Sequence, residues 1–124
     1  MQNCPLTYDH RLDSAFLESI YENDKEDAAF GFEQFLNNYA KQFNELEQSF
    51  ETGDLNIFRQ KIHKLKPTFS FVGLTNVTAK AENIEKKCIE CIEINVIKDL
   101  YTDFKSSLTE LIPVVKDEFN RLKT

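Results

Sequence analysis

Apolar residues recur along most of this chain at intervals of three and four, the spacing that places side chains on one face of an α-helix. Leu12, Phe16, Leu17 and Ile20 predict a short first helix that Asn23-Asp24 ends or caps. Phe32, Leu36, Tyr39, Phe43, Leu46 and Phe50 hold helical spacing until Thr52-Gly53-Asp54, a strong stop. Asp54 is placed to cap a third helix, with the stripe Phe58, Ile62, Leu65, Phe69 and Val72, which Gly73 ends. Thr75 or Asn76 then caps a fourth, running to about Cys91 on Val77, Ala81, Ile84 and Cys88. The last begins near Asn95 and repeats apolar residues from Ile97 through Leu122. Pro113 removes one amide without interrupting that rhythm, which predicts a bend rather than an end.

Four long amphipathic helices joined by short connections bury their stripes best as an antiparallel, up-down four-helix bundle. The short N-terminal helix would lie across one end or flank. The expectation is therefore an all-α chain, one domain over residues 1–124 with its core bundle at about 25–122. Composition agrees: the 124 residues include 11 Phe, no Trp, and only three Gly and three Pro to break helices. No strand-like alternation, repeat or low-complexity tract competes with this reading.

Charge narrows the function. A net charge of −6 and a pI near 4.9 leave too little positive surface for general phosphate-backbone reading, which argues against nucleic acid. No apolar run approaches the roughly 18 residues that span a bilayer, and the N-terminus lacks a charged-then-apolar signal. A cytoplasmic monomer is expected, and Met1 with the lack of linker-like ends favours a free-standing chain over a piece of a hybrid kinase. Cys4, Cys88 and Cys91 are too few for a secreted disulfide scaffold. Cys88-Ile-Glu-Cys91 has the spacing of a metal or redox pair, but Cys88 lies on an apolar stripe and is read as core.

Against this acidic background, residues 55 to 80 hold Arg59, Lys61, Lys64, Lys66 and Lys80 with no Asp or Glu, so this +5 window leaves −11 on the rest. A basic island on an acidic protein suggests an anion handled at one place. Within it stands His63, roughly 140° around the helix from the centre of the apolar stripe at about 100° per residue, and so expected to face solvent. Lys66, Pro67 and Ser70 share its face, with Arg59 one turn earlier. His10, in a poorly patterned segment, reads as a solvated residue. Phe30 and Phe71 fall off their helices' stripes, so either forms an apolar docking surface or packs under the N-terminal helix.

Gly53-Asp54, the run Ile62-His63-Lys64-Leu65-Lys66, then Gly73-Leu74 and a helix with Ala81-Glu82-Asn83-Ile84-Glu85 together resemble the histidine phosphotransfer (HPt) family, from about residue 10 to the end. The resemblance implies a phosphoryl carrier in multistep phosphorelays, without autonomous kinase activity. It makes His63 the phosphoacceptor, Lys66 the cation beside the phosphoryl group, and Gly73 the later glycine where the helix ends. Arg59, Lys64 and Ser70 could assist. Implied partners are response-regulator receiver domains and a hybrid sensor histidine kinase.

Chemically, a neutral imidazole has a ring nitrogen lone pair ready to attack phosphorus without a separate base. No carboxylate cluster lies near His63 in sequence to hold a metal, so this chain is expected to bind no cofactor and the receiver to bring the divalent cation. One position departs from the family: Pro67 stands where glycine usually follows the lysine, removing the amide that would bond to the His63 carbonyl. The departure predicts a bend at the site. Two other readings stay open, namely a bundle that binds a receiver without being phosphorylated, and a metal or redox module using Cys88, Cys91 and Cys4 or His10.

Overall fold

A computed structural model describes residues 7–90 and 93–124. They form five α-helices and no strand: α1 (Ser14–Tyr21), α2 (Lys25–Glu51), α3 (Leu55–Ser70), α4 (Thr75–Ile89) and α5 (Ile94–Lys123). Helix α3 packs against α2 and α4, α5 packs against α2 and α4, and α1 rests on α2. Fully buried Leu17, Phe32, Phe58, Ile84 and Phe104, one from each helix, belong to one apolar core.

Local chemistry explains most helix boundaries. Asp13, Asp24 and Asp54 cap α1, α2 and α3, each carboxylate accepting a first-turn amide, from Phe16, Asp27 and Ile57. Helix α1 stops where Glu22 and Asn23 take positive φ. Gly53 and Gly73, with φ of 77° and 74°, make the turns after α2 and α3. Helix α4 differs from expectation: Leu74 occupies its cap position with no side-chain bond. Thr75 instead turns its hydroxyl to Asp13 Oδ2 at 2.6 Å, so it ties α4 to the N-terminal segment rather than capping its own helix. Helix α4 ends at Ile89, two residues short of Cys91, which with Cys4 lies outside the described residues.

Aromatic packing sets the middle of the core. The rings of Phe50, Phe58 and Tyr101 form a triangle with centroids 4.8–5.0 Å apart, joining α2, α3 and α5. Each such pair contributes about 0.5–1.5 kcal/mol beyond area burial. The Tyr101 hydroxyl donates to Glu47 Oε1 at 2.6 Å, which satisfies the one polar atom of that ring. Phe35, absent from the α2 stripe read from sequence, is buried and stacks on Tyr39. Cys88 packs half-buried against the core as expected, and burial pushes its thiol pKa up.

The N-terminal segment is bound to the bundle by polar contacts that periodicity does not reveal. The Asp13 amide donates to the Gly73 carbonyl at 2.8 Å. Buried Glu118 accepts from the Asp9 amide at 2.6 Å and pairs with Arg121, which also donates to the Thr7 carbonyl. At the other end of α1, the Tyr21 hydroxyl donates to the Phe71 carbonyl at 2.7 Å. It passes over Gly31, where a Cβ would lie 2.0 Å from the hydroxyl oxygen.

Gly31 therefore has a use that outweighs its cost in helix propensity. An exposed Gly→Ala change inside a helix ordinarily stabilises by up to about 1 kcal/mol. Gly31→Ala is expected to destabilise by about 1–2 kcal/mol instead, because it displaces Tyr21 and orphans its hydrogen bond. Urea unfolding of the two proteins measures this, and a stabilised variant would contradict the close approach.

Candidate functional site

Helix α3 presents His63 outward, with 64% of its side chain exposed, because the stripe Phe58, Ile62, Leu65 and Phe69 is drawn into the core on the opposite face. Pro67 lies inside α3 and does not end it: the helix continues to Ser70. Its ring stands exposed one turn beyond the imidazole.

The imidazole does not stand beside a cation alone. Glu85 reaches across from α4, with Oε1 2.8 Å from His63 Nδ1 and Oε2 2.8 Å from Lys66 Nζ. One carboxylate thus bridges the two residues that sequence reasoning paired. Only 13% of the Glu85 side chain and 20% of the Lys66 side chain are exposed, so their ion pair is shielded from water, while the His63 contact stays at the surface. The Oε2 atom is buried and makes no hydrogen bond, which leaves the Lys66 ion pair as its compensation. Burial pushes the Glu85 carboxyl up, but Lys66 and His63 together outweigh burial and hold its pKa below the ordinary carboxylate value.

An ionised carboxylate only accepts hydrogen bonds. The proton in the 2.8 Å contact must therefore sit on His63 Nδ1, which makes Nε2 the nitrogen with the lone pair in the neutral ring. Glu85 selects the tautomer, orients the ring, and can offset positive charge that develops when Nε2 attacks an electrophile.

Arg59, Lys64 and Ser70 do not join this group: among the described residues no hydrogen bond or ion pair connects any of them to His63. Arg59 bonds to Asn56 at 3.0 Å, toward the start of the helix. Lys64 lies on the opposite flank of α3, where it lines a cleft with Gln42, Glu45 and Lys61. Ser70 is half-buried at the helix end, its carbonyl accepting from Gly73. The basic island is also partly neutralised by acids from elsewhere: Lys61 pairs with Glu45, Lys66 with Glu85 and Lys80 with Asp103.

Sequence reasoning included Glu85 in a motif without giving it a role. The available signal was its position, one residue after buried Ile84 and four after buried Ala81, at the shoulder of the α4 stripe. A carboxylate there points along the seam with α3 rather than into water. His10 is 91% exposed beside Asp9, remote from this arrangement in sequence and contacts. Among the described residues no group of three His, Cys, Asp or Glu could hold a metal ion, and no helix is long and apolar enough to cross a membrane.

A family model described as the Hpt domain matches residues 32–122, which include His63, Lys66, Gly73 and Glu85. The chain belongs to the Hpt domain family. No curated protein and no solved structure matches it. Hpt domains carry histidine phosphotransfer in two-component phosphorelays, where they meet receiver domains and histidine kinases. The match begins within α2, so α1 and the start of α2 lie outside it.

Proposed function

We propose that this Hpt domain carries a phosphoryl group between receiver-domain aspartates as phosphohistidine on His63 Nε2. The observation that carries the reading is the exposed imidazole whose Nδ1 is held by Glu85 at 2.8 Å. In the forward step the Nε2 lone pair attacks phosphorus of an aspartyl phosphate, the N–P bond forms, and the P–O bond breaks to return a carboxylate on the receiver. The Nδ1 proton stays on the ring and is donated to Glu85 throughout. Both phosphorylated forms are energy-rich, so the reverse step follows the same path to another receiver.

Lys66 is the phosphoryl-stabilising cation in this scheme, its ammonium able to turn from Glu85 toward the incoming oxygens. Gly73 and Pro67 shape the helix around the site. The divalent cation that phosphoryl transfer uses would come on the receiver. The chain acts as a carrier without kinase activity of its own, supplied by a hybrid sensor histidine kinase through its receiver, as a cytoplasmic monomer. One domain with an antiparallel, up-down four-helix core is the architecture proposed. It is supported by Lys25 bonding to the Thr124 carbonyl while Glu47 bonds to Tyr101, pairs that run oppositely along α2 and α5.

The test is transfer from a panel of phosphorylated receivers. Acid-labile, base-stable label on His63 is the expected result. Binding without labelling by any receiver would instead favour a bundle that docks without chemistry.

Glu85 gives the scheme a second test. Glu85→Ala is expected to slow phosphoryl uptake by about tenfold, equivalent to ~1.4 kcal/mol of lost positioning and charge stabilisation. In the same variant, ¹⁵N spectra of His63 should lose the dominant Nδ1–H tautomer, while Glu85→Gln recovers part of the rate by keeping a hydrogen-bond acceptor. Because the folded pKa of Glu85 is depressed, its contribution to stability is present above the ordinary carboxyl value and fades as pH falls through the folded one. An unchanged tautomer and rate in Glu85→Ala would remove Glu85 from the mechanism.

A further inference from the structure

Arg59 stands four residues before His63 on α3, or about 6 Å along the axis at 1.5 Å per residue. Residues four apart share a helix face, so guanidinium and imidazole lie on the same side of α3. Side chains on a helix also lean toward its N-terminus, which carries the exposed His63 ring over the turn that holds Arg59. In the other direction the same face offers Pro67, which has no donor, and half-buried Ser70.

Arg59 also borders α4. Burial pushes the Cys88 thiol pKa up, and the Arg59 charge acts against that rise from across the seam. Cys88 follows Glu85 by three residues on α4, so Arg59 and Glu85 border one stretch of the seam between the two helices.

The two cations that share this face with His63 are held differently. Lys66 pairs with Glu85 Oε2, a buried atom without a hydrogen bond, so drawing the ammonium away leaves a buried charge uncompensated. Arg59 donates only to the neutral Asn56 side-chain oxygen, at 3.0 Å, and among the described residues it pairs with no carboxylate. Asn56 is exposed, so water replaces the guanidinium there at little cost. Phosphorylation of Nε2 places three acceptor oxygens and about two negative charges within reach of this uncommitted cation. The planar fork of a guanidinium engages two such oxygens at once.

We propose that Arg59 is a second phosphoryl-binding residue of this domain, leaving Asn56 to close on the phosphoryl oxygens when His63 is phosphorylated. It shares a charge that Lys66 alone can meet only by leaving Glu85. The proposal rests on the phosphocarrier reading and adds to it a residue outside the resting group of His63, Glu85 and Lys66.

Loading of His63 by phosphoramidate, which passes its phosphoryl group to the ring and leaves as ammonia, tests this without a partner protein. Arg59→Ala is expected to slow loading by about tenfold, the loss of one charge-assisted contact to the reacting group. Arg59→Lys keeps the charge but not the fork and should recover part of the rate. Lys64→Ala removes the same charge from the opposite flank and should stay within about twofold of wild type, because solvent and salt screen it there. Thermal melting checks that each variant is folded. In ¹⁵N spectra of the wild type, the Arg59 Nε–H resonance should move on phosphorylation and return when the label is hydrolysed. An unmoved resonance, or equal loading by wild type and Arg59→Ala, would overturn the proposal and leave the carrier reading standing. So would equal losses in Arg59→Ala and Lys64→Ala, since net charge and not a contact would then explain both. A wild-type chain that phosphoramidate does not label would count against the carrier reading itself, and the assignment of Arg59 would fall with it.

Discussion

Replacing His63 with glutamine is expected to lower phosphoryl uptake by at least about a thousandfold, because it removes the only atom proposed to form the bond to phosphorus. Stability should change by no more than about 0.5 kcal/mol, since the side chain is 64% exposed and a glutamine amide can still donate toward Glu85. The pairing of these results is the informative part. Residual acid-labile label would place an acceptor elsewhere, with exposed His10 the first candidate. A substantially lowered melting temperature would mean that His63 holds the bundle together, contrary to its place on the outer face of α3.

That outer face was legible from sequence because helical periodicity is a one-dimensional signal. Phe58, Ile62, Leu65 and Phe69 define an inward stripe, and they are buried. The direction of His63 then follows from the angle alone. The cap at Asp54 was legible for the same reason, since its bond spans only three residues, whereas Asp24, read with Asn23 as the end of the first helix, caps α2. What periodicity carries poorly is partnership between helices. Glu85 lies 22 residues from His63, and Arg59 and Lys64, which sequence alone ranked beside the imidazole, turn to different partners or flanks.

The N-terminal attachment was illegible on the same grounds. Thr75 looked like a cap for its own helix, but it serves Asp13, 62 residues earlier. Nothing in the spacing around Gly31 signals that Tyr21 crosses it to reach Phe71. Glu118 carries no sign in its sequence neighbourhood of being buried against Asp9 and Arg121. Each is a polar contact between elements distant in the chain, where identity depends on tertiary geometry and not on spacing. Phe30 and Phe71 fall off their helices' stripes, and the structure exposes both rather than packing them under α1.

Gly73→Ala is expected to destabilise the protein by about 3 kcal/mol. Two terms add. At φ of 74° an L-residue is in the left-handed region, which costs about 1–2 kcal/mol. The new Cβ would also lie 2.8 Å from a Leu17 methyl, 3.0 Å from the Asp13 nitrogen and 3.1 Å from the Leu12 Cβ. Overpacking of that kind costs a further ~1–3 kcal/mol, and here the backbone nitrogen cannot yield without losing its bond to the Gly73 carbonyl. Gly53 supplies the control, since its φ of 77° is nearly the same but nothing lies within 4 Å of its Cβ position. Gly53→Ala should therefore cost only the conformational part, about 1–2 kcal/mol. Thermal and urea unfolding of both variants measure the difference, and faster amide exchange in residues 9–21 of Gly73→Ala would show that the N-terminal segment gives way first. Equal losses in the two variants would mean that α1 does not press on the turn after α3, and the attachment of the N-terminal segment would have to be sought in Glu118 and Tyr21 alone.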